Sequence, residues 1–149
     1  MKVLAGPEVA KRLEGAPVAE GAIEERGVAL TARTVSRLES AARMGCEESE
    51  PAARNALAVE RRDPEDRRGW WLLEEGVYLL ELAEVPSLPA GAVGFLQPHP
   101  ALLEAGASHP TVLVPGGHHA GPILLPLTVC ERGLALQEGA RVSLLVAAT

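Results

Sequence analysis

The chain has 149 residues, 47% hydrophobic and 23% charged, with a formal net charge of −6 at pH 7. That length can bury one core, and the apolar content excludes wholesale disorder. The acidic balance argues against nucleic acid as the main partner, and no apolar run reaches the roughly 18 residues of a membrane span, so no membrane partner is expected.

In chain order, Pro7 and Glu8 suit the first turn of a short helix, with Val9 and Leu13 on one face and Gly15 as its stop. Residues 17–26 read as a linker, 27–31 as a strand and 34–38 as its partner. Residues 40–68 differ in kind: they are rich in Glu, Arg and Ala and carry Pro51 and Pro64. They read as a charged surface insertion in a single domain spanning 1–149, with a helical turn or two over 52–61. From Trp70 the pattern turns to β: strands at 70–73, 77–82 and 92–97, with a bend between Pro86 and Pro89. A short helix over 101–105 follows, capped by Gly106. Residues 111–129 read as a hairpin: strand, glycine-rich turn, strand. Short strands over 134–137 and 141–146 close the chain. This spacing of strands and turns predicts an all-β sandwich or barrel.

Cys46 and Cys130 lack metal or redox spacing and read as reduced thiols. No apolar core of signal-peptide length follows Lys2, so the expected location is cytoplasmic. Arg far exceeds Lys and Asn55 is the single asparagine, a bias that suits a thermophile and equally a GC-rich genome.

Several stretches, in order, resemble the superfamily of trimeric dUTP pyrophosphatases and dCTP deaminases, especially its short archaeal-type members. Gly27-Val28-Ala29-Leu30 is similar to its G-V-D-L strand. Residues 98–106 sit where the family has P-R-S-S-L-A-R-x-G. Val112-Leu113-Val114-Pro115-Gly116 stands for V-V-D-P-G, and Gly121 for the next glycine. Gly139-Ala140-Arg141-Val142 resembles G-D-R-I. The resemblance implies a distorted β-barrel, the β-clip of the dUTPase-like fold, with one or two short helices. It also implies a homotrimer with nucleotide pockets between subunits. In such enzymes the Ser-Ser helix start and a nearby Arg hold phosphates, and Mg²⁺ bridges the phosphates in the pyrophosphatases.

The departures fall on the chemistry. The hairpin Asp position is Val114 and the deaminase Glu position is Pro126; neither side chain can take a proton from water. Pro100 and Ala101 replace the two serines, and Glu104 replaces the Arg. Ala29 replaces the Asp of G-V-D-L and Leu144 the Gln of the last strand. The Gly-rich C-terminal arm of many pyrophosphatases is expected to be missing.

The residues left at the ancestral pocket are His99, Glu104, Gly116, His118, His119, Gly121 and Arg141. All four histidines, His109 included, fall within 21 positions. His118 and His119 read as an exposed turn, with a metal site or acid–base use as alternatives, and His99 reads as a structural residue at a strand end. No resident cofactor is expected, except Mg²⁺ if nucleotide hydrolysis survives. Three readings stand: a non-catalytic trimeric scaffold with a structural, binding or regulatory role; a diverged nucleotide hydrolase or deaminase; and a metal-binding trimer.

Overall fold

The computed structural model describes residues 1–117 and 121–149. In chain order the elements are α1 (Gly6–Ala10), β1 (Leu13–Gly15), a 3₁₀ turn (Glu20–Ala22), β2 (Val28–Leu38), β3 (Arg43–Met44), β4 (Ser49–Glu50) and β5 (Arg54–Ala56). Then come β6 (Trp70–Leu73), β7 (Gly76–Leu82), β8 (Glu84–Pro86), β9 (Val93–Pro98), α2 (Pro100–Glu104), β10 (Ala107–Ser108), β11 (Val112–Pro115), β12 (Leu124–Val129), β13 (Leu134–Gln137) and β14 (Arg141–Ala148). The all-β expectation is borne out, with two short helices as its only α-helices among the described residues. None of these helices is long and apolar enough to cross a membrane.

The main sheet runs β10-β12-β7-β2-β14-β9-β11, with β5 added along the far half of β2, and curls into a half-barrel. Alternation sets its inner face. Along β7, Tyr78, Leu80 and Leu82 point inward, and along β12, Leu125, Leu127 and Val129 do the same. Leu30, Leu96 and Leu145 complete the fully buried centre from β2, β9 and β14. Each such side chain contributes about 1.5–3 kcal/mol relative to exposure, which is why the strand register is strongly specified.

Five details differ from the sequence reading, the fifth being the length of the last strand. The first helix ends at Ala10, and Leu13 belongs to β1, where it pairs with Pro86 of β8. In β1, Leu13 is partly buried against the core. Residues 27–31 and 34–38 are halves of one strand, not partners. β2 pairs with β14 through Thr31, shifts register, then pairs with β7 from Ala32. The polar Arg33 and Thr34, which suggest a turn, instead mark the bulge that bends the strand from one partner to the next. The helical turn expected over 52–61 is absent; Arg54–Ala56 pairs with 36–38 of β2, so an open sheet edge overrides local helix propensity. Finally, β11 and β12 are not a hairpin. β11 lies antiparallel to β9, and β12 to β7. Curling of the sheet carries the two halves of 111–129 to separate strands.

The insertion is exposed over most of its length, including the small β3–β4 hairpin. It is anchored where Leu57 and Val59 pack against the core and the Leu57 carbonyl accepts a bond from Trp71 Nε1 at 3.3 Å. The last strand is longer than the expected 141–146, and Val142, Leu145 and Ala147 are buried in the chain's own core.

Candidate functional site

Strand β9 delivers the chain to His99, whose backbone N–H donates to the Val142 carbonyl at 2.9 Å. His99 is the N-cap of α2: its Nδ1 accepts the Ala101 N–H at 3.1 Å. Pro100 takes the first helical position, where a missing N–H costs little. The Leu102 N–H donates to the His99 carbonyl at 2.9 Å. A helix start binds an anion through free N–H groups. Here one is absent and the next two are engaged by His99. Glu104, exposed at the far end of α2, adds a negative charge. Leu102 is buried and fastens the helix to the barrel.

Behind α2 lies a polar pair that sequence reasoning did not find. His109 and Ser143 are both buried, the serine completely. Nε2 of His109 lies 2.7 Å from Ser143 Oγ, and Nδ1 lies 2.9 Å from the Pro110 carbonyl. A carbonyl can only accept, so Nδ1 carries the proton and Nε2 accepts from the serine hydroxyl. Desolvation lowers the His109 pKa from 6.5, opposed by hydrogen bonds involving the Pro110 and Val142 backbone. The arrangement is that of a base beside a hydroxyl nucleophile. With the serine sealed from solvent, it acts as a structural tie between β14 and the 109–110 corner. The two residues stand 34 apart in sequence, and no local signal links them.

The two family base positions face different surroundings. Val114 is buried on β11 and packs beside Gly94 of β9. Pro126 is exposed on β12, opposite Leu79. β10 reaches only Thr128 and Val129, so Pro126 borders an open edge where its missing N–H breaks no ladder. Gly116 is a close-approach position: a Cβ there would meet the Pro89 and Ala92 carbonyls at 2.1 and 2.6 Å. Gly121 has φ +68, and among the described residues beyond its chain neighbours no atom lies within 4 Å of a Cβ built there. His118 and His119 lie outside the described residues. The structure thus joins His99 and Glu104 on one short helix. Arg141 turns elsewhere, its Nη1 donating to the Gly21 carbonyl at 2.9 Å.

Among the described residues, no group of three or more His, Cys, Asp or Glu is placed to hold a metal ion. Magnesium takes oxygen ligands; Val114, Ala29 and Pro126 offer no side-chain oxygen. These positions therefore do not fit a protein-held Mg²⁺.

No family model matches the chain. Over 128 residues it is 30% identical to a protein of Aeropyrum pernix named a probable deoxyuridine 5′-triphosphate nucleotidohydrolase, covering 86% of this chain and 76% of that one. Over 130 residues it is 25% identical to a protein of the same name from Methanosarcina mazei, covering 87% and 74%. Among solved structures it resembles the 2′-deoxycytidine 5′-triphosphate deaminase of Agrobacterium tumefaciens, with a TM-score of 0.72 and 16% identity over 98% of this chain. This chain spans about half of that one, 48%.

Proposed function

Because the chain belongs to the dUTPase–dCTP deaminase superfamily, we propose that it is a member without the family reaction, serving as a scaffold with a structural, ligand-binding or regulatory role. One observation carries the reading. The helix start that would grip phosphates has Pro100 in place of a donor and spends the Ala101 N–H on the His99 ring. Val114 and Pro126 at the two base positions point the same way.

We also propose that the scaffold is a homotrimer. The outward face of β7 and β12 supports this: Val77 and Leu124 are exposed and Pro126 lies opposite Leu79 between them, with Glu81 and Thr128 as the polar members of the same face. Exposed apolar patches on soluble proteins mark contact surfaces. A cytoplasmic location accords with two free thiols, Cys46 and Cys130. The names of the relatives favour a second reading, a diverged dUTP hydrolase with a newly recruited base and Mg²⁺ as cofactor.

Incubation with dUTP or dCTP and Mg²⁺ separates the two. Loss of one well-placed electrostatic group costs about 10²–10³ in rate, and several losses need not multiply. The expected outcome is no release of pyrophosphate from dUTP and no deamination of dCTP. Turnover clearly above a mock preparation would establish the second reading.

A further inference from the structure

We propose that a cleft separate from α2 binds a small molecule carrying a phosphate or pyrophosphate group. Its volume is about 480 Å³, within the range of small-molecule sites. Four guanidinium-bearing side chains line it: Arg33 from β2, Arg67 and Arg68 from the end of the insertion, and Arg141 from the start of β14. They come from distant parts of a chain whose net charge is −6, so their convergence does not reflect a generally basic surface.

Two carboxylates, Glu84 and Glu138, share the cleft. Both accept backbone N–H groups. Glu84 Oε1 accepts from Thr31 N at 2.7 Å while Oε2 accepts from the Thr31 hydroxyl at 2.8 Å. Glu138 Oε1 accepts from Gly69 N at 2.8 Å. Of the four arginines only Arg33 has a carboxylate at ion-pairing distance among the described residues, Glu81 at 3.7 Å. Arg67 and Arg68 have none. With Glu81 counted against Arg33, four positive charges meet three negative ones, and the excess, which lies with Arg67 and Arg68, suits an anion.

Two glycines make room for the guanidinium groups. A Cβ on Gly21 would lie 3.1 Å from Arg141 Nη2, and one on Gly139 would lie 2.8 Å from Arg68 Nη1. Guanidinium groups bind phosphate through paired N–H donors. The segment 16–19 supplies a largely apolar wall on which the uncharged part of a ligand can rest. Arg141 is a position that the family resemblance assigns to the nucleotide pocket, but Arg33, Arg67 and Arg68 are not, and none of the four arginines belongs to α2.

The test is calorimetric titration and thermal unfolding of the full chain at ionic strength matched with sodium chloride. The probes are inorganic phosphate, pyrophosphate and a nucleoside monophosphate. A saturable heat and a midpoint rise of about 5 °C are expected for at least one of them. Preference for the nucleoside monophosphate over inorganic phosphate would make the apolar wall part of the site; equal binding would make the phosphate group sufficient. Arg67→Gln and Arg68→Gln should each weaken binding about tenfold. Arg54→Gln, an exposed arginine on β5 outside the cleft, should leave it unchanged. Should Arg68→Gln not fold, Arg67→Gln decides alone, because Arg67 makes no polar contact among the described residues. No saturable response to any probe, or equal weakening by Arg54→Gln, would overturn the proposal.

Discussion

The start of α2 and the arginine cleft are both built over a buried polar pair, yet they treat charge in opposite ways. At α2 the donors turn inward: the Ala101 N–H meets the His99 ring, and Glu104 stands exposed with no ion pair among the described residues. In the cleft the carboxylates turn inward: Glu84 is tied to Thr31, and the guanidinium groups remain on the wall. The pair beneath each site differs to match. His109 bonds Ser143 as a neutral ring, whereas Glu84 is a carboxylate taking two donors from one residue. In the cleft the backbone satisfies Glu84 and Glu138, while Arg67 and Arg68 have no ion pair among the described residues.

The largest effect separating the two should come from Glu84. It is only 2% exposed, and Glu84→Ala strands both the Thr31 N–H and hydroxyl. The expected loss is about 3 kcal/mol, seen as a fall of about 6–12 °C in the unfolding midpoint. Ser143→Ala beneath α2 removes one neutral bond and should cost about 1–2 kcal/mol in urea unfolding. Equal losses would erase the distinction between a charged and a neutral tie.

The third effect is one of pH. His109 has a folded pKa below 6.5 because burial disfavours its charged form. The unfolded chain therefore binds more protons as pH drops below that value. Its stabilising contribution is complete above about pH 6.5 and is lost as pH falls toward the folded pKa. Unfolding midpoints at pH 7.5 and 5.5 should differ more for the unaltered chain than for His109→Gln. An identical difference would show that groups other than His109 carry the dependence.

How far these regions are legible in sequence depends on how local their causes are. The strands β7, β12 and β14 follow from short apolar runs between turn signals, and the stop after α2 from Gly106, which has φ +82. His99 before Pro100 reads as a residue at a strand end, and its ring there caps α2. The course of β2 is hidden because Arg33 and Thr34 mimic a turn; only pairing with both β14 and β7 shows the bulge. Nearness in sequence suggests that β11 pairs with β12, but the curl of the sheet decides otherwise. The His109–Ser143 tie joins residues 34 apart, and the arginine cleft gathers four positions spread over more than a hundred residues. Nothing within a window of ten or twenty residues encodes either.

The smallest effect on stability is the sharpest test of the contrast. Glu60 and Trp70 exchange backbone bonds of 2.8 and 2.7 Å, so the ends of 61–68 are already held together. Replacing 61–68 by a short Gly-Ser turn removes Arg62 from the Trp70 ring, 5.0 Å from its centroid, worth about 0.5–1 kcal/mol at an exposed site. It also removes Arg68 from beside Gly139. A shorter loop closes at lower entropic cost, about 0.6 kcal/mol for each halving of length. The two terms nearly cancel, so the unfolding midpoint should move by no more than a few degrees. Phosphate binding should nevertheless vanish, because Arg67 and Arg68 leave the wall while the α2 region is untouched. A truncated protein that still binds phosphate would move the anion site to the α2 side; one that fails to fold would make the insertion part of the core.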